Sequence, residues 1–195
     1  MPRMSRVERA FCRSAPWRRF AEHVVLPWAL DGHALEGEIL ELGCGSGAMA
    51  EAAARRYPAA TITATDIDPI MVRMASRRLE LVPNASASEA DVTSLPFPAH
   101  SFDTVTSYLM LHHVLDWPAA LREAQRVLRP GGLLVGYDLH QSRPAELVHI
   151  VDRSPYRLIP QADFHSGLLD AGFVVPHAKR AFGRLVTKFI ATKPT

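Results

Sequence analysis

Cysteine is scarce in this chain of 195 residues: Cys12 and Cys44 stand alone and far apart. Two thiols without a spaced cluster exclude the common zinc patterns and a disulfide-held scaffold, and they predict free thiols in a reducing, cytoplasmic setting. Long apolar runs are missing as well. The most hydrophobic stretch near the start, VVLPWAL at 24–30, is short and interrupted by Pro27, whereas a membrane span needs about 18 to 20 apolar residues. No integral membrane association is expected. Nor is there an excess of one charge: 22 basic against 20 acidic side chains give a net charge of +2, too little to imply a nucleic-acid partner. Internal repeats, low-complexity tracts and long linkers are absent.

What remains is an ordinary globular composition, 48% hydrophobic and 22% charged. A chain of this length buries roughly 70% of the surface its unfolded form exposes, enough for one full core. The charge is unevenly placed. Residues 1–20 carry Arg3, Arg6, Arg9, Arg13, Arg18 and Arg19 against Glu8 alone. This start reads as an amphipathic helix with a solvated basic face and Phe11, Trp17 and Phe20 as apolar anchors; a transit segment or a polybasic arm is the competing reading.

Periodicity divides the rest into alternating strands and helices. Helical patterning covers about 4–26. EILEL at 38–42 is a short strand that runs into glycines, GAMAEAAARRY at 47–57 is a helix stopped by Pro58, and the alternating TITATD at 61–66 is a second strand. Asp68-Pro69 opens a helix to about Leu81, with an acid at the cap and proline in the first turn. Weak and strong strands follow at 86–91 and 101–109, then an amphipathic helix at 117–128 closed by the Gly131-Gly132 turn, and a buried strand at 133–139. A helix at 161–171 and two strand-like runs, FVVPHAK and RLVTKFIATK, finish the chain. Five β units separated by helices predict a doubly wound parallel α/β sheet, and the two last runs an antiparallel hairpin at one edge. The domain reading is an N-terminal helical extension over 1–35 and one α/β domain over 36–195.

Gly43, Gly45 and Gly47 lie in ELGCGSG, directly between the first strand and a helix. Such a loop lets the backbone turn sharply and approach a ligand, with the free N–H groups of the helix start behind it. Spacing decides what it holds. The dinucleotide fingerprint G-x-G-x-x-G would put its third glycine on Ala48 or Ala50, a position that tolerates alanine, so the fingerprint is damaged without being excluded; the phosphate-cradling loop would need a Lys-Ser/Thr pair that is absent. Instead Glu41 precedes the first glycine by two residues, where a carboxylate repels a pyrophosphate but suits a cationic amino or sulfonium group. Asp66, at the end of the second strand, can accept both hydroxyls of a ribose. Asp91 with Val92, after the third, can meet an adenine amino group and ring, or be a loop acid.

Four segments in order, ILELGCGSG, ITATDIDPIMVRMA, ADVTSLPFPAHSFDTVTSYLMLHHV and EAQRVLRPGGLLVGYDL, resemble the successive motifs of the class I S-adenosylmethionine-dependent methyltransferases. The similarity is to the small-molecule branch typified by ubiquinone and menaquinone biosynthesis methyltransferases, and it spans about residues 36–140. It implies a Rossmann-like seven-stranded sheet with the last pair antiparallel, and S-adenosylmethionine as methyl donor. It further implies that Glu41 and the loop Gly43, Cys44, Gly45 and Gly47 hold the methionyl part, and that Asp66 with Ile67 holds the ribose. Asp91 with Val92 would hold the adenine, and the backbone at Ser107 would face the donor's amino group.

Methyl transfer from a sulfonium is an in-line displacement on an activated donor, so alignment and desolvation can supply most of the acceleration and a general base is optional. If a base is used, His113 after the fourth strand and His140 after the fifth are the candidates, since histidine has a suitable pKa; the His112-His113 pair has a structural or donor-packing role as its alternative. No histidine pair has metal-ligand spacing, and no metal is expected. Tyr108, Met110, Trp17, Phe20 and Trp28 are candidates for an apolar wall over a small, fairly apolar acceptor, with core packing as the alternative. A monomer or homodimer is expected. A non-catalytic donor-binding protein of the same fold and a nicotinamide oxidoreductase are the rival readings.

Overall fold

The computed structural model describes residues 19–139, 158–181 and 185–195. Strand β1 (Gly37–Leu42) is followed by α2 (Ala48–Arg56), β2 (Ala60–Asp66), α3 (Pro69–Leu79), β3 (Ala85–Glu89) and β4 (Phe102–Tyr108). After a 3-10 turn (Leu111–His113) come α4 (Trp117–Val127), β5 (Leu128–Leu139), α5 (Gln161–Asp170), β6 (Val174–Ala181) and β7 (Val186–Thr192). The strands form one sheet in the order β3-β2-β1-β4-β5-β7-β6. The first five are parallel, and β7 pairs antiparallel with both β5 and β6. This is the doubly wound, Rossmann-like sheet expected from the alternation, with its closing hairpin.

Three of the helices start or stop for a local reason. The Asp68 side chain accepts the Ile70 N–H at 2.8 Å and Pro69 occupies the first turn of α3; Asp116 accepts the Ala119 N–H at 3.1 Å ahead of α4. Helix α2 is alanine-rich and ends before Pro58. Its alanines 50 and 52–54 pack with Ile39, Ile62 and Ala64 on one sheet face, while Leu40, Leu42, Val105 and Leu134 pack on the other with α4, Phe164 and Leu168 of α5, and Phe189 of β7. Period-two alternation therefore turns Glu41 to the face of Ile39. The registers Leu42↔Thr65, Leu42↔Ser107 and Ser107↔Gly136 bring the carboxyl ends of β2, β1, β4 and β5 level with one another.

Three boundaries differ from the sequence reading. Helix does not stop at 26: a π-helical segment Ala21–Val25 runs into an α-helical segment Leu26–Leu30, together α1, and Asp31 and Gly32 end it in the left-handed region. Pro27 interrupts nothing, because the Leu26 N–H reaches back to the Ala21 carbonyl and this wide turn absorbs the hydrogen bond that proline cannot make. Ala21, Leu26, Ala29 and Leu30 are buried in the same core as the sheet. Strand β5 begins at Leu128, not 133, since Leu128 pairs with Phe102 and the Gly131 N–H and Gly132 carbonyl bond to Lys193. Strand β3 ends at Glu89, so Asp91 lies two residues beyond it, in an isolated bridge with Ser94. The arginine-rich start, Cys12 and Trp17 lie outside the described residues. Among those described, no helix is long and apolar enough to cross a membrane.

Candidate functional site

The glycine loop is built around two close approaches. Gly43 has φ +63°, and a Cβ there would fall on the Met110 side chain; Gly47 has φ +76°, with the Cβ and Cα of Ala75 in α3 only 3.0 and 3.1 Å from where its own Cβ would be. Both positions need glycine for conformation and for space. The loop stays in the sheet's register, since the Cys44 N–H donates to the Thr65 carbonyl at 2.8 Å and the Thr65 hydroxyl donates to the Glu41 carbonyl at 2.9 Å.

Two carboxylates flank this loop and differ in their surroundings. Asp66 is half-buried and accepts the Gly45 N–H at 2.8 Å on one oxygen and the Asp68 N–H at 2.9 Å on the other. Burial still raises its pKa, against those two hydrogen bonds. Glu41 is 3% exposed. No hydrogen bond or ion pair to its carboxylate exists among the described residues, and burial, with the Asp66 charge second, raises its pKa to about 8. The Cys44 thiol beside them is buried and free, its pKa pushed up by burial and by both carboxylates. An acid pair without a cation among the described residues, under a loop of backbone N–H groups, suits a ligand that carries positive charge next to hydroxyls.

The remaining residues expected at the site lie along the same strand ends. Ile67 is half-buried and Val92 buried. Asp91 is exposed, and one of its oxygens accepts the Thr93 N–H at 2.8 Å and the Thr93 hydroxyl at 2.7 Å; the Ala90 N–H donates to the Asp66 carbonyl, which keeps Asp91 next to Asp66. Asp68 is the helix cap of α3. Ser107 is fully buried, its hydroxyl without a hydrogen-bond partner among the described residues. His113 is half-buried, its ring centroid 4.0 Å from that of His112. His140 lies outside the described residues. Among those described, no group of histidines, cysteines and acids is arranged to hold a metal ion.

Of the five residues read as candidates for an apolar wall, the structure brings Trp28 and Tyr108 together. Trp28 of α1, Tyr137 of β5 and Tyr108 of β4 form a row with ring centroids 5.3 and 5.6 Å apart. Met110 packs on the opposite sheet face, and Phe20 is 46% exposed. Lys188 of β7 anchors α1 by donating to the Trp28 carbonyl at 3.2 Å and to Asp31 at 2.6 Å.

Sequence reasoning passed over two features. Asp138 at the end of β5 holds the turn after β4, accepting the His112 main-chain N–H at 3.1 Å and the His112 ring Nδ1 on its other oxygen. The acid inside the apolar run LLVGYDL was the available signal. Leu109 takes φ +53° between β4 and the 3-10 turn, a strained conformation for a bulky side chain that no sequence pattern marks.

Comparison with known proteins agrees with this geometry. The methyltransferase-domain family matches residues 40–136. Malonyl-[acyl-carrier protein] O-methyltransferase of Halorhodospira halophila is 35% identical over 144 residues, covering 71% of this chain and 48% of that protein. Demethylmenaquinone methyltransferase of Thermus thermophilus is 37% identical over 120 residues, covering 61% and 52%. The chain thus spans about half the length of these curated relatives. Among solved structures, phosphoethanolamine N-methyltransferase 2 of Haemonchus contortus, in complex with phosphomonomethylethanolamine and S-adenosylhomocysteine, superimposes with a TM-score of 0.77. It is 15% identical, over 88% of this chain and 52% of that one, a likeness of fold.

Proposed function

The chain belongs to the class I S-adenosylmethionine-dependent methyltransferases, and from that membership we propose that it moves a methyl group from S-adenosylmethionine to an O, N or C atom of a small, fairly apolar acceptor. The observation that carries this reading is Glu41, an acid buried beneath the glycine loop with no cation beside it among the described residues. A buried charge needs a partner, and a donor with a sulfonium and an ammonium group supplies one. Glu41, Gly43, Cys44, Gly45 and Gly47 would hold the methionyl part, Asp66 and Ile67 the ribose, Asp91 and Val92 the adenine, and Ser107 the donor's amino end. Residues 36–195 form the donor-binding unit of this proposal, and 1–35 an extension over the acceptor, tied down through the buried side of α1.

The donor brings an activated methyl group, so the protein's task is alignment and exclusion of water, worth up to about 7 to 11 kcal/mol when two reactants are held in line. The row of Trp28, Tyr137 and Tyr108 supports an apolar surround for the acceptor. Where the acceptor must lose a proton, His113 and His140 are the proposed bases, each worth about 10² to 10⁴-fold. The free Cys44 thiol supports a reducing, cytoplasmic setting, and a monomer or homodimer is proposed.

Calorimetry with S-adenosylmethionine, S-adenosylhomocysteine and NADH, followed by a labelled-methyl screen over quinols, phenols, amines and fatty acyl derivatives, tests the proposal. Micromolar binding of the first two ligands and transfer to one acceptor class are expected. Binding of NADH alone overturns the reading; donor binding without transfer to any acceptor leaves a binding protein of this fold.

A further inference from the structure

The two acids at the glycine loop are not equivalent. Asp66 is held by two main-chain N–H donors, both of which favour its charged form. Glu41, deeper and 3% exposed, has neither a donor nor a cation among the described residues. The titratable groups that bear on it are the Asp66 carboxylate of β2, the Cys44 thiol of the loop and the Tyr108 phenol of β4. Each of them disfavours its charge or leaves it uncompensated. When one proton is shared between such a pair, it sits on the member without hydrogen bonds.

Resting on the reading of this site as an S-adenosylmethionine site, we propose that Glu41 carries a proton in the empty protein, gives it to solvent when a sulfonium enters, and takes one back when the sulfur is left neutral. Glu41 thereby distinguishes methyl donor from demethylated product. The two ligands share their ribose, adenine, α-ammonium and α-carboxylate, and differ by the methyl group and one positive charge. The charge balance closes: the donor's added positive charge is matched by the carboxylate formed as the proton leaves, and loss of that positive charge is matched by proton uptake. The same carboxylate that grips the donor becomes an unpaired buried charge beside the product, which it then neutralises at the expense of contact.

Titration calorimetry at pH 7.0 in buffers of different ionisation enthalpy counts the protons directly. Release of nearly one proton is expected with S-adenosylmethionine and close to none with S-adenosylhomocysteine. Because the Glu41 pKa lies at about 8, the apparent donor affinity should tighten about 50-fold between pH 6 and pH 8, with the product's affinity flat. Glu41→Gln should abolish proton release on donor binding and the pH dependence of donor affinity. Equal release with both ligands would mean that Glu41 answers to the shared ammonium, and it overturns the proposal. So does release that survives in Glu41→Gln, or a flat donor affinity in the unmodified protein, which needs no variant to fold. Failure of both ligands to bind is a different result and removes the donor-site reading itself.

Discussion

Asp66→Ala should damage stability as well as donor binding, because this carboxylate ties down the glycine loop and, in the proposed function, also accepts the ribose hydroxyls. Its oxygens accept the Gly45 N–H at 2.8 Å and the Asp68 N–H at 2.9 Å, which ties the glycine loop to the head of α3. Truncation leaves both N–H groups without that acceptor. A buried donor left unsatisfied costs about 1 to 3 kcal/mol, but the position is half-buried, so water recovers part of it. Removing a carboxylate whose pKa is raised by burial returns a further part. The net loss should be about 1 to 3 kcal/mol of folding free energy. Loss of the charged acceptor proposed for the ribose hydroxyls should weaken the donor by a further 1 to 3 kcal/mol, roughly 5- to 150-fold. Asp68→Ala is the control next door. It removes one cap bond to Ile70, worth about 1 kcal/mol, and that cost is softened because its second oxygen is buried without a hydrogen-bond partner among the described residues. Urea unfolding followed by tryptophan fluorescence, with calorimetry on the same samples, separates the effects. If Asp66→Ala unfolds at the wild-type midpoint, or weakens the donor no more than Asp68→Ala does, the assignment of both tasks to Asp66 is wrong.

Gly136→Ala should cost about 3 kcal/mol or more, beyond the usual range for overpacking. Its new Cβ would land on the Ser107 carbonyl oxygen, with Phe189 Cζ 2.9 Å away, and the two central strands would have to part; a thermal melt within 1 kcal/mol of wild type would refute that. The empty protein should lose stability as pH rises from about 5 to 8. The folded state keeps the Glu41 proton up to about pH 8 whereas the unfolded chain gives it up near 4.5, a difference worth at most about 5 kcal/mol. Melting temperatures between pH 5 and 9 should fall for wild type and stay flatter for Glu41→Gln, and parallel slopes would contradict the buried-acid account.

Most of the architecture was legible because its signals are local. Alanines in α2, the Asp68-Pro69 start of α3, and the alternation in TITATD act within a few residues, and the structure keeps each of them. The Gly43 to Gly47 loop with Glu41 and Asp66 was legible for a related reason. In a parallel sheet, consecutive strands β1 and β2 are neighbours, so residues at both carboxyl ends meet without knowledge of the long-range topology. The Asp138 and His112 contact needs more. The two residues stand 26 apart in sequence and meet only because β5 pairs with β4. Pro27 was misread for the opposite reason: a strong local rule was overridden when the wide turn ahead of it took up the missing bond. The strand-like pairing of Gly131 and Gly132 depends on Lys193 at the far end of the chain, which no local pattern reveals.

The distribution of satisfied and unsatisfied polar groups argues for the site independently of any motif. Away from the carboxyl ends of the central strands, described residues such as Lys193 and Arg126 find partners for the polar groups they bury or half-bury. Lys193 donates to the Gln125 and Leu128 carbonyls at 2.7 and 2.8 Å, and Arg126 pairs with Glu123 while capping the Leu95 and Phe97 carbonyls. At the carboxyl ends of β1, β2 and β4 this discipline lapses. The Glu41 carboxylate, the second oxygen of Asp68 and the Ser107 hydroxyl have no hydrogen-bond partner among the described residues. Each such group costs about 1 to 3 kcal/mol when left alone. A fold that can place a lysine on two or more carbonyls has the means to satisfy a serine. Their gathering around one glycine loop is the pattern expected where the missing partners belong to a bound molecule rather than to the chain.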